Sequence, residues 1–279
     1  MKKVVKVLLI LSIAFVLIGA AVFGVGLFLN WDNITSSDYS SSGFEQKQYE
    51  YDSNGLTAIS FNDINSAVKI LPTSSDKVRV SCYESDKEHY YINKDADGTL
   101  IIERRDERKW FERISFWSLS DFFSGNKITV IEIPSNVTLD NIDIETINGR
   151  IEVGDLKLKE SLTARTQNGE VVLKNVNAED EVEAETTNGR ITLSDIKAKS
   201  VIASAVNGRI DLASVNASKS LDFETVNGEI SGSVVGNEED FKISTYTVLG
   251  KCNLSDKEYG IKTLTAGTVN GRIEIEFED

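Results

Sequence analysis

A short Asn-Gly motif recurs through the second half of this chain and constrains its fold more than any other feature. The stretch Thr-Ile-Asn-Gly-Arg-Ile begins at Thr146, and a degraded copy occupies residues 247–251. Close copies begin at Thr166, Thr186, Ala205, Thr225 and Thr268. Successive asparagines are 20, 20, 19, 20 and 43 residues apart, and the degraded copy divides the longest interval. A period this regular over half of a chain is typical of a repeat architecture.

Apolar residues recur at three fixed offsets from each asparagine. They lie six and four residues before it, three and five after it, and eight and ten after it; in the first repeat these pairs are Ile142/Ile144, Ile151/Val153 and Leu156/Leu158. Each pair indicates a short strand that points two side chains to one side. The pattern therefore predicts an all-β fold: a single-stranded parallel β-solenoid of about 20-residue coils over residues 142–279.

Three strands in each coil require three corners. We assign the first corner to the Asn-Gly pairs, and we expect backbone conformations there with positive φ, which these residue types tolerate best. The predicted structural corners are Asn148, Gly149, Asn168, Gly169, Asn188, Gly189, Asn207, Gly208, Asn227, Gly228, Asn270 and Gly271. The second corner is predicted at Asp155, Asn175, Asp195 and Ser214, and the third is polar and variable.

The alternative geometry makes each Asn-Gly pair the two-residue turn of a β-hairpin. Two sets of residues, each at an equivalent position in successive repeats and here called columns, favour stacked coils. Three residues before the asparagine, Glu145, Arg165 and Glu185 alternate in charge, and in-register stacking places them about 4.8 Å apart. Two residues before it stands a nearly continuous column of threonines. With the asparagines, these threonines are expected to form hydrogen-bonded ladders along one edge.

Residues 56–141 carry shorter period-two runs without the Asn-Gly motif, the clearest of which ends at Pro134. We interpret them as irregular early coils of the same solenoid, and the alternative is a separate small β-domain.

A basic and aromatic insertion, residues 104–123, interrupts this region. The tentative interaction surface in it comprises Trp110, Phe111, Phe116, Trp117, Phe122 and Phe123. It would bind a membrane interface, a glycan or a partner protein. The alternative is a cap that covers the open end of the solenoid core.

The N-terminus has the composition of a membrane anchor. Residues 7–29 contain no charge, and about 1.5 Å per residue makes them long enough to cross a hydrocarbon core of about 30 Å. Three lysines precede this run, so residues 1–30 are predicted to be a cytoplasmic stub and a single-pass transmembrane helix, with the repeat domain outside a bacterial cell membrane. A cleaved signal peptide is the alternative. Residues 31–55 are predicted to be a flexible linker.

Composition narrows the chemistry. The net charge of −14 argues against a nucleic-acid partner. His89 is the only histidine, and Cys82 and Cys252 stand far apart without a CxxC motif. These counts disfavour a zinc site and the usual nucleophile–histidine pairs, and we expect no cofactor, no metal, no catalytic residue and no disulfide.

The tandem Asn-Gly repeats, the strand that ends at Pro134 and the aromatic insertion resemble a bacterial family of candidate adhesins. Its members contain β-strand repeats, and the family is described as a domain of unknown function. The resemblance covers about residues 56–279. It implies a β-solenoid, a membrane-anchored protein and a role at the cell surface, and it carries over no catalytic residue.

Three functions are then in view. The first is a non-enzymatic, adhesin-like or scaffold module that presents regular faces to a protein or glycan. The second is an accessory or regulatory membrane protein of the envelope-stress type, which binds its partner through the aromatic insertion. The third is a carbohydrate-active β-helix enzyme, for which no carboxylate motif is present.

Overall fold

The structure is a computed structural model that describes residues 44–107 and 127–278, and this part of the chain is built almost entirely of β-strands. The strands are β1 Glu45–Asp52, β2 Ala58–Asp63, β3 Ala67–Thr73, β4 Lys77–Glu84, β5 Glu88–Lys94, β6 Thr99–Asp106, β7 Ile128–Pro134, β8 Leu139–Thr146, β9 Ile151–Thr166, β10 Val171–Ala178, β11 Glu181–Asn188, β12 Ile191–Asn207, β13 Ile210–Thr225, β14 Ile230–Val235, β15 Phe241–Leu249, β16 Lys262–Asn270 and β17 Ile273–Glu278. A 3-10 turn, Glu238–Asp240, precedes β15.

The repeats stack as parallel coils. Ile151 pairs with Val171, which in turn pairs with Ile191, so each residue lies beside its equivalent in the next repeat. The same register joins the strands before the asparagine, where Leu162 pairs with Val182. The all-β prediction is confirmed, and this parallel register excludes the alternative in which each Asn-Gly pair closes a hairpin.

The apolar pairs fill the interior of the coils. Ile151, Val171 and Ile191 are fully buried, and so are the equivalent residues of the other two strands in each coil. Because neighbouring coils are in register, each apolar side chain rests on the same position of the coil below. The core is therefore a set of continuous apolar columns along the stack.

The Asn-Gly corner differs from the prediction of positive φ. None of the corner asparagines or glycines in the described repeats has φ in the left-handed region. Glycine is needed for another reason: a Cβ atom added at Gly169 would collide with the carbonyl oxygen of Gly149 in the neighbouring coil. Close backbone approach between coils, and not an unusual φ, excludes a side chain at this position.

Positive φ occurs instead at the second corner. There φ is 58° at Asp155, 51° at Asn175, 54° at Asp195 and 53° at Ser214. Aspartate and asparagine tolerate the left-handed region better than other non-glycine residues. The amide of Asn175 also donates to Asp155 over 2.7 Å, which ties two of these corners together.

The order of the last coils in space is not their order in sequence. β13 pairs through residues 220–225 with β16, and β15 pairs with the opposite edge of β16. The last repeat is therefore inserted between the Asn227 coil and the degraded copy, and the degraded copy forms the end of the stack. β14 likewise pairs with β17, beyond which Cys252 forms a single parallel bridge to Ile273.

The first part of the domain combines coils with antiparallel edges. β2 and β3 stack in parallel on β8 and β9, and β6 and β7 stack in parallel on β2 and β3. β4 and β5 then run antiparallel against β7 and β6, and β1 runs antiparallel against β4. Residues 45–52 are thus part of the sheet, so the predicted linker over residues 31–55 is wrong for this portion.

Some predictions concern residues outside the described ranges. The proposed membrane span, residues 7–29, lies outside them, as does the portion of the predicted linker before residue 44. Within residues 44–107 and 127–278, no helix is long and apolar enough to cross a membrane.

Candidate functional site

A groove of about 670 Å³ runs along one outer edge of the stack and crosses successive coils. We call it the outer groove. Its lining consists of Glu145, Thr146, Arg165, Thr166, Gln167, Glu185, Thr186, Thr187, Ser204, Ala205, Val206, Glu224, Thr225, Val226, Tyr246, Gly267, Thr268 and Val269. In five coils these residues are the three that precede the Asn-Gly corner, whereas the first coil contributes Glu145 and Thr146 and the degraded copy contributes Tyr246. The repeat itself therefore builds the groove.

The threonine column holds the backbone beneath the groove. Thr166 donates its hydroxyl to the carbonyl oxygen of Gly149 over 3.0 Å, and Thr186 does the same to Gly169 over 2.9 Å. The same hydrogen bond to a glycine carbonyl oxygen recurs at Thr225, Thr247 and Thr268. Ala205 has no hydroxyl, so the column lacks this hydrogen bond there. The predicted threonine ladder is confirmed, with glycine carbonyl oxygens as its acceptors.

The asparagine ladder runs beside the groove. Each side-chain amide donates to the Oδ1 of the asparagine in the adjacent coil, over 2.7 to 2.9 Å. Its members, in spatial order, are Asn65, Asn148, Asn168, Asn188, Asn207, Asn227 and Asn270. Because these amides bond to one another in a continuous row, the predicted corner asparagines serve the stacking of coils.

One half of the outer groove is strongly polar. Arg165 lies among acids of the coils on both sides of it: its Nε is 3.1 Å from Glu185, a second guanidinium nitrogen contacts Glu183, and a third is 3.9 Å from Asp143. Burial raises the pKa of the Glu183 carboxyl, and the charge of Arg165 opposes that shift. The predicted charge alternation between neighbouring coils is confirmed here and at Arg150, whose guanidinium is 3.4 Å from Glu170.

The other half of the outer groove is mostly apolar. Val206 is 42% exposed and Val226 is 40% exposed, and Val269 lies in the adjacent coil at the same offset from its asparagine. Tyr246, which is 61% exposed, closes this half on the last coil. Glu224 is the one charged residue in this half of the lining.

A second candidate is a buried polar cluster around Tyr90 and Arg104. The Tyr90 hydroxyl hydrogen-bonds to Asp63 and also lies 3.1 Å from Ser66 Oγ and 3.0 Å from Thr129 Oγ1. Arg104 donates to Glu88 and, over 2.9 Å, to Ser66. Burial raises the pKa of the Tyr90 hydroxyl. These groups satisfy one another between β2, β5, β6 and β7, so we interpret the cluster as a structural anchor for the outermost coil.

The remaining chemistry-bearing residues lie apart. Cys82 is buried, burial raises the pKa of its thiol to about 12, and it is not bonded to Cys252. Three or more metal-ligating side chains do not come together anywhere in the described ranges. The lining of the outer groove also contains no histidine, cysteine or lysine. Its arrangement suits binding through shape, apolar contact and charge.

The predicted interaction surface cannot be compared with the outer groove. Trp110, Phe111, Phe116, Trp117, Phe122 and Phe123 lie outside the described residues. Of the basic residues in the insertion, Arg104 belongs to the buried cluster, and the Arg105 guanidinium lies 4.4 Å from the centre of the Tyr91 ring. Sequence reasoning did not identify the outer groove. Its signal was the pair of outward offsets on either side of the threonine column. Of these two we used only the offset of Glu145, Arg165 and Glu185, and only to establish register.

Three solved structures are similar to this chain over most of its length. A candidate adhesin from Bacteroides fragilis is 14% identical with a TM-score of 0.45, and the match covers 83% of this chain and 97% of that one. A candidate cell-adhesion protein from Clostridium sporogenes is 12% identical with a TM-score of 0.37, covering 84% and 100%. A candidate adhesin from Parabacteroides merdae is 12% identical with a TM-score of 0.36, covering 85% and 98%. No curated protein matches the chain.

A protein-family model also matches most of the chain. The model of one family matches residues 56–278, which include all the coils and both antiparallel edges from β2 onward. The resemblance inferred from the Asn-Gly repeats is thereby confirmed. The chain belongs to the Toastrack DUF4097 family, a domain of unknown function.

Proposed function

We propose that this chain is a non-enzymatic binding or scaffold protein of the bacterial cell surface that holds a protein or glycan partner in its outer groove. In this proposal residues 7–29 anchor it in the membrane, with the N-terminus in the cytoplasm and the repeat domain outside. The observation that carries the proposal is the outer groove itself, because successive coils from Glu145 onward contribute to one continuous concave surface.

Two properties of the groove support binding over catalysis. Its threonine hydroxyls donate to backbone carbonyl oxygens, so they are engaged in holding the coils together. Its apolar half leaves Val206 and Val226 exposed although the interior of the domain is filled with similar side chains. A concave surface lined by exposed apolar residues is more often a binding site than a surface that stays in contact with solvent.

Photo-crosslinking from the groove tests the proposal. A photoreactive amino acid at Val226 in the full chain, expressed in bacterial cells, is expected to give a specific adduct with a membrane or cell-surface component. The same amino acid at Glu276, which is exposed on β17 outside the groove, is the matched control. Equal labelling from both positions, or no adduct from Val226, would overturn the groove as the binding site. Recovery of the chain in the soluble fraction would overturn the anchor.

A second candidate function is favoured by the position of the insertion in the chain. The insertion falls in sequence between β6 and β7, which pair in parallel with β2 and β3 as the outermost parallel coil. An accessory or regulatory protein would use the aromatic residues of the insertion to contact another membrane protein. Replacing Trp110, Phe111, Trp117 and Phe122 by serine separates the two functions: loss of a cross-linked partner in a folded domain favours the insertion, and unfolding shows that it is a cap.

A further inference from the structure

We propose that the apolar half of the outer groove binds an extended polypeptide segment with an arginine or lysine side chain, which lies between Ser204 and Gly267 against Glu224. Apolar side chains of the same segment would pack on Val206 and Val226. The inference rests on the proposed function, because it names the chemistry of the partner for the same groove.

The chain itself contains a template for this interaction. Arg165 stands three residues before its asparagine and reaches the acids Glu183 and Glu185 of the adjacent coil. Its side chain is 43% exposed and belongs to the lining of the groove. A cation at this offset is therefore held by a pair of carboxylates one coil away.

A second pair of carboxylates has no such cation. Asp222 and Glu224 occupy the same offsets as Glu183 and Glu185, but the adjacent coils carry Ser204 and Gly267 at the offset of Arg165. Neither Asp222 nor Glu224 forms an ion pair with another residue in the described part of the chain, and the Oδ1 atom of Asp222 is buried without a hydrogen-bond partner. Within the ranges that the structure describes, no cation compensates their charges.

The space beside Glu224 is open. A Cβ atom added at Gly267 would meet a single heavy atom within 4 Å, the Cγ of Glu224 at 3.9 Å, which is an ordinary van der Waals distance. The backbone at Gly267 also lies outside the left-handed region. A side chain can enter this space either from a partner or from a substitution at position 267.

The charges of the lining select a cationic partner. Glu145, Arg165, Glu185 and Glu224 are its charged members, and the single cation among them is held by acids. Burial and then the charge of Glu224 raise the pKa of the Asp222 carboxyl, and no cation opposes the shift as Arg165 does for Glu183. An anionic ligand would meet only repulsion in this half of the groove.

The apolar column selects a polypeptide as the partner. Val206, Val226 and Val269 stand at one offset in three consecutive coils, so they form an apolar strip of about 10 Å along the stack. An inorganic cation would leave this strip exposed. A glycan would find the threonine hydroxyls below it already donated to glycine carbonyl oxygens. A strand-like segment with alternating apolar and basic residues meets both the strip and Glu224.

Peptide binding to the full chain in detergent micelles tests the proposal. The probe is a fluorescein-labelled nonapeptide, Thr-Val-Thr-Val-Arg-Val-Thr-Val-Thr, and the reference probe has glutamine in place of arginine. Fluorescence anisotropy is expected to show that the wild-type chain prefers the arginine peptide by about threefold to tenfold. Glu224→Gln should abolish this preference. Glu276→Gln, which removes an equal charge from β17, should retain it.

Gly267→Arg provides the decisive variant. It places an arginine of the chain beside Glu224 in the way that Arg165 stands beside Glu185, so it should leave the melting temperature unchanged or raise it while it abolishes the preference for the arginine peptide. Gly154→Arg adds the same charge outside the groove lining, where an added Cβ would meet only the carbonyl oxygen of Lys174 at 3.5 Å, and should bind like the wild type.

The outcomes separate the two proposals. Equal affinity for both peptides in the wild-type chain, or an unchanged preference in Gly267→Arg, would overturn the cationic partner. If photo-crosslinking from Val226 then persists in cells, the groove as a binding site stands and only its proposed chemistry is wrong. If that crosslink is also absent, both proposals are wrong.

Discussion

The side-chain amide of Asn270 donates a hydrogen bond to Oδ1 of Asn227 over 2.7 Å, although 43 residues separate them in sequence. Leu249 lies between them in sequence but one coil beyond Asn270 in space. A leucine cannot join a row of hydrogen-bonded amides, whereas an asparagine continues it. The ladder of amides is therefore continuous, and the coil without an amide is at the end of the stack.

This order of coils predicts which engineered disulfide forms. Neighbouring coils are about 4.8 Å apart, within the Cα separation that a disulfide requires, and coils two layers apart are not. In a Cys252→Ala background, Asn227→Cys with Asn270→Cys is expected to cross-link, and Asn227→Cys with Leu249→Cys is not. Burial raises the pKa of Cys82 to about 12, so its thiol should not compete. Non-reducing electrophoresis distinguishes the pairs, and cross-linking in the second pair alone would contradict the inserted coil.

The corner glycines predict a large difference between two Gly→Ala substitutions. At Gly189 an added Cβ would collide with the carbonyl oxygen of Gly169, so Gly189→Ala should lower the free energy of unfolding by about 1–3 kcal/mol. Gly154→Ala is the control, because its Cβ would meet the carbonyl oxygen of Lys174 at an ordinary 3.5 Å. Urea denaturation measures both. Equal effects would show that close approach of the coils does not explain the glycines.

The hydrogen bond that the threonine ladder lacks at Ala205 predicts a stabilising substitution. Ala205 occupies the threonine offset, and Thr166 and Thr186 each bond to a glycine carbonyl oxygen at this place. Ala205→Thr should therefore add a hydrogen bond to Gly189 and raise the free energy of unfolding by about 0.5–1.5 kcal/mol. Ala203→Thr, two residues earlier on the core side of β12, would bury a hydroxyl in an apolar column and should destabilise the domain. A melting temperature of Ala205→Thr below that of the wild type would refute the ladder as a source of stability.

Asp222 predicts a pH-dependent difference in stability. Burial, and then the charge of Glu224, raise the pKa of its carboxyl above the ordinary 3.8, so the folded state binds this proton more tightly than the unfolded state does. The contribution of Asp222 to stability should therefore be lost as pH rises from about 3.8 through the raised pKa.

Asp222→Asn removes this effect. The variant should match the wild type below about pH 3.8 and be more stable than it at neutral pH. Urea denaturation across this range measures the difference, with Glu276→Gln as the neutralisation control. A difference that does not change with pH would contradict the assignment to Asp222.

The amino-acid pattern predicted the coils correctly because, when coils stack in register, each offset requires the same residue type in every coil. An inward offset needs an apolar side chain, as at Ile151 and Val171, and a corner in close contact needs glycine, as at Gly169. The positive φ predicted for that corner was wrong, because close backbone approach is what requires the glycine. Both conditions select glycine, so the residue type alone does not distinguish them. Position 155 shows the reverse case, in which aspartate adopts positive φ without any glycine.

The first part of the domain was less predictable. β4 and β5 have the same alternation of apolar residues as β2 and β3, because an antiparallel edge strand and a parallel coil both bury every second side chain. Strand direction is set by distant pairing partners, and no local pattern distinguishes the two cases. β1 escaped prediction because its polar sequence resembles a linker, and its charged side chains suit an exposed edge.

The sequence by itself determined which side chains face the core, where each coil turns and that the repeats stack in parallel, because these follow from short-range periodicity repeated many times. Tertiary structure decided which coil lies next to which, since Thr247 and Gly250 match the positions of Thr268 and Gly271 and the order of the chain places the degraded copy before the last repeat. It also decided that the residues before each corner form a groove. A concave surface arises from the relative placement of several coils, which no single repeat encodes.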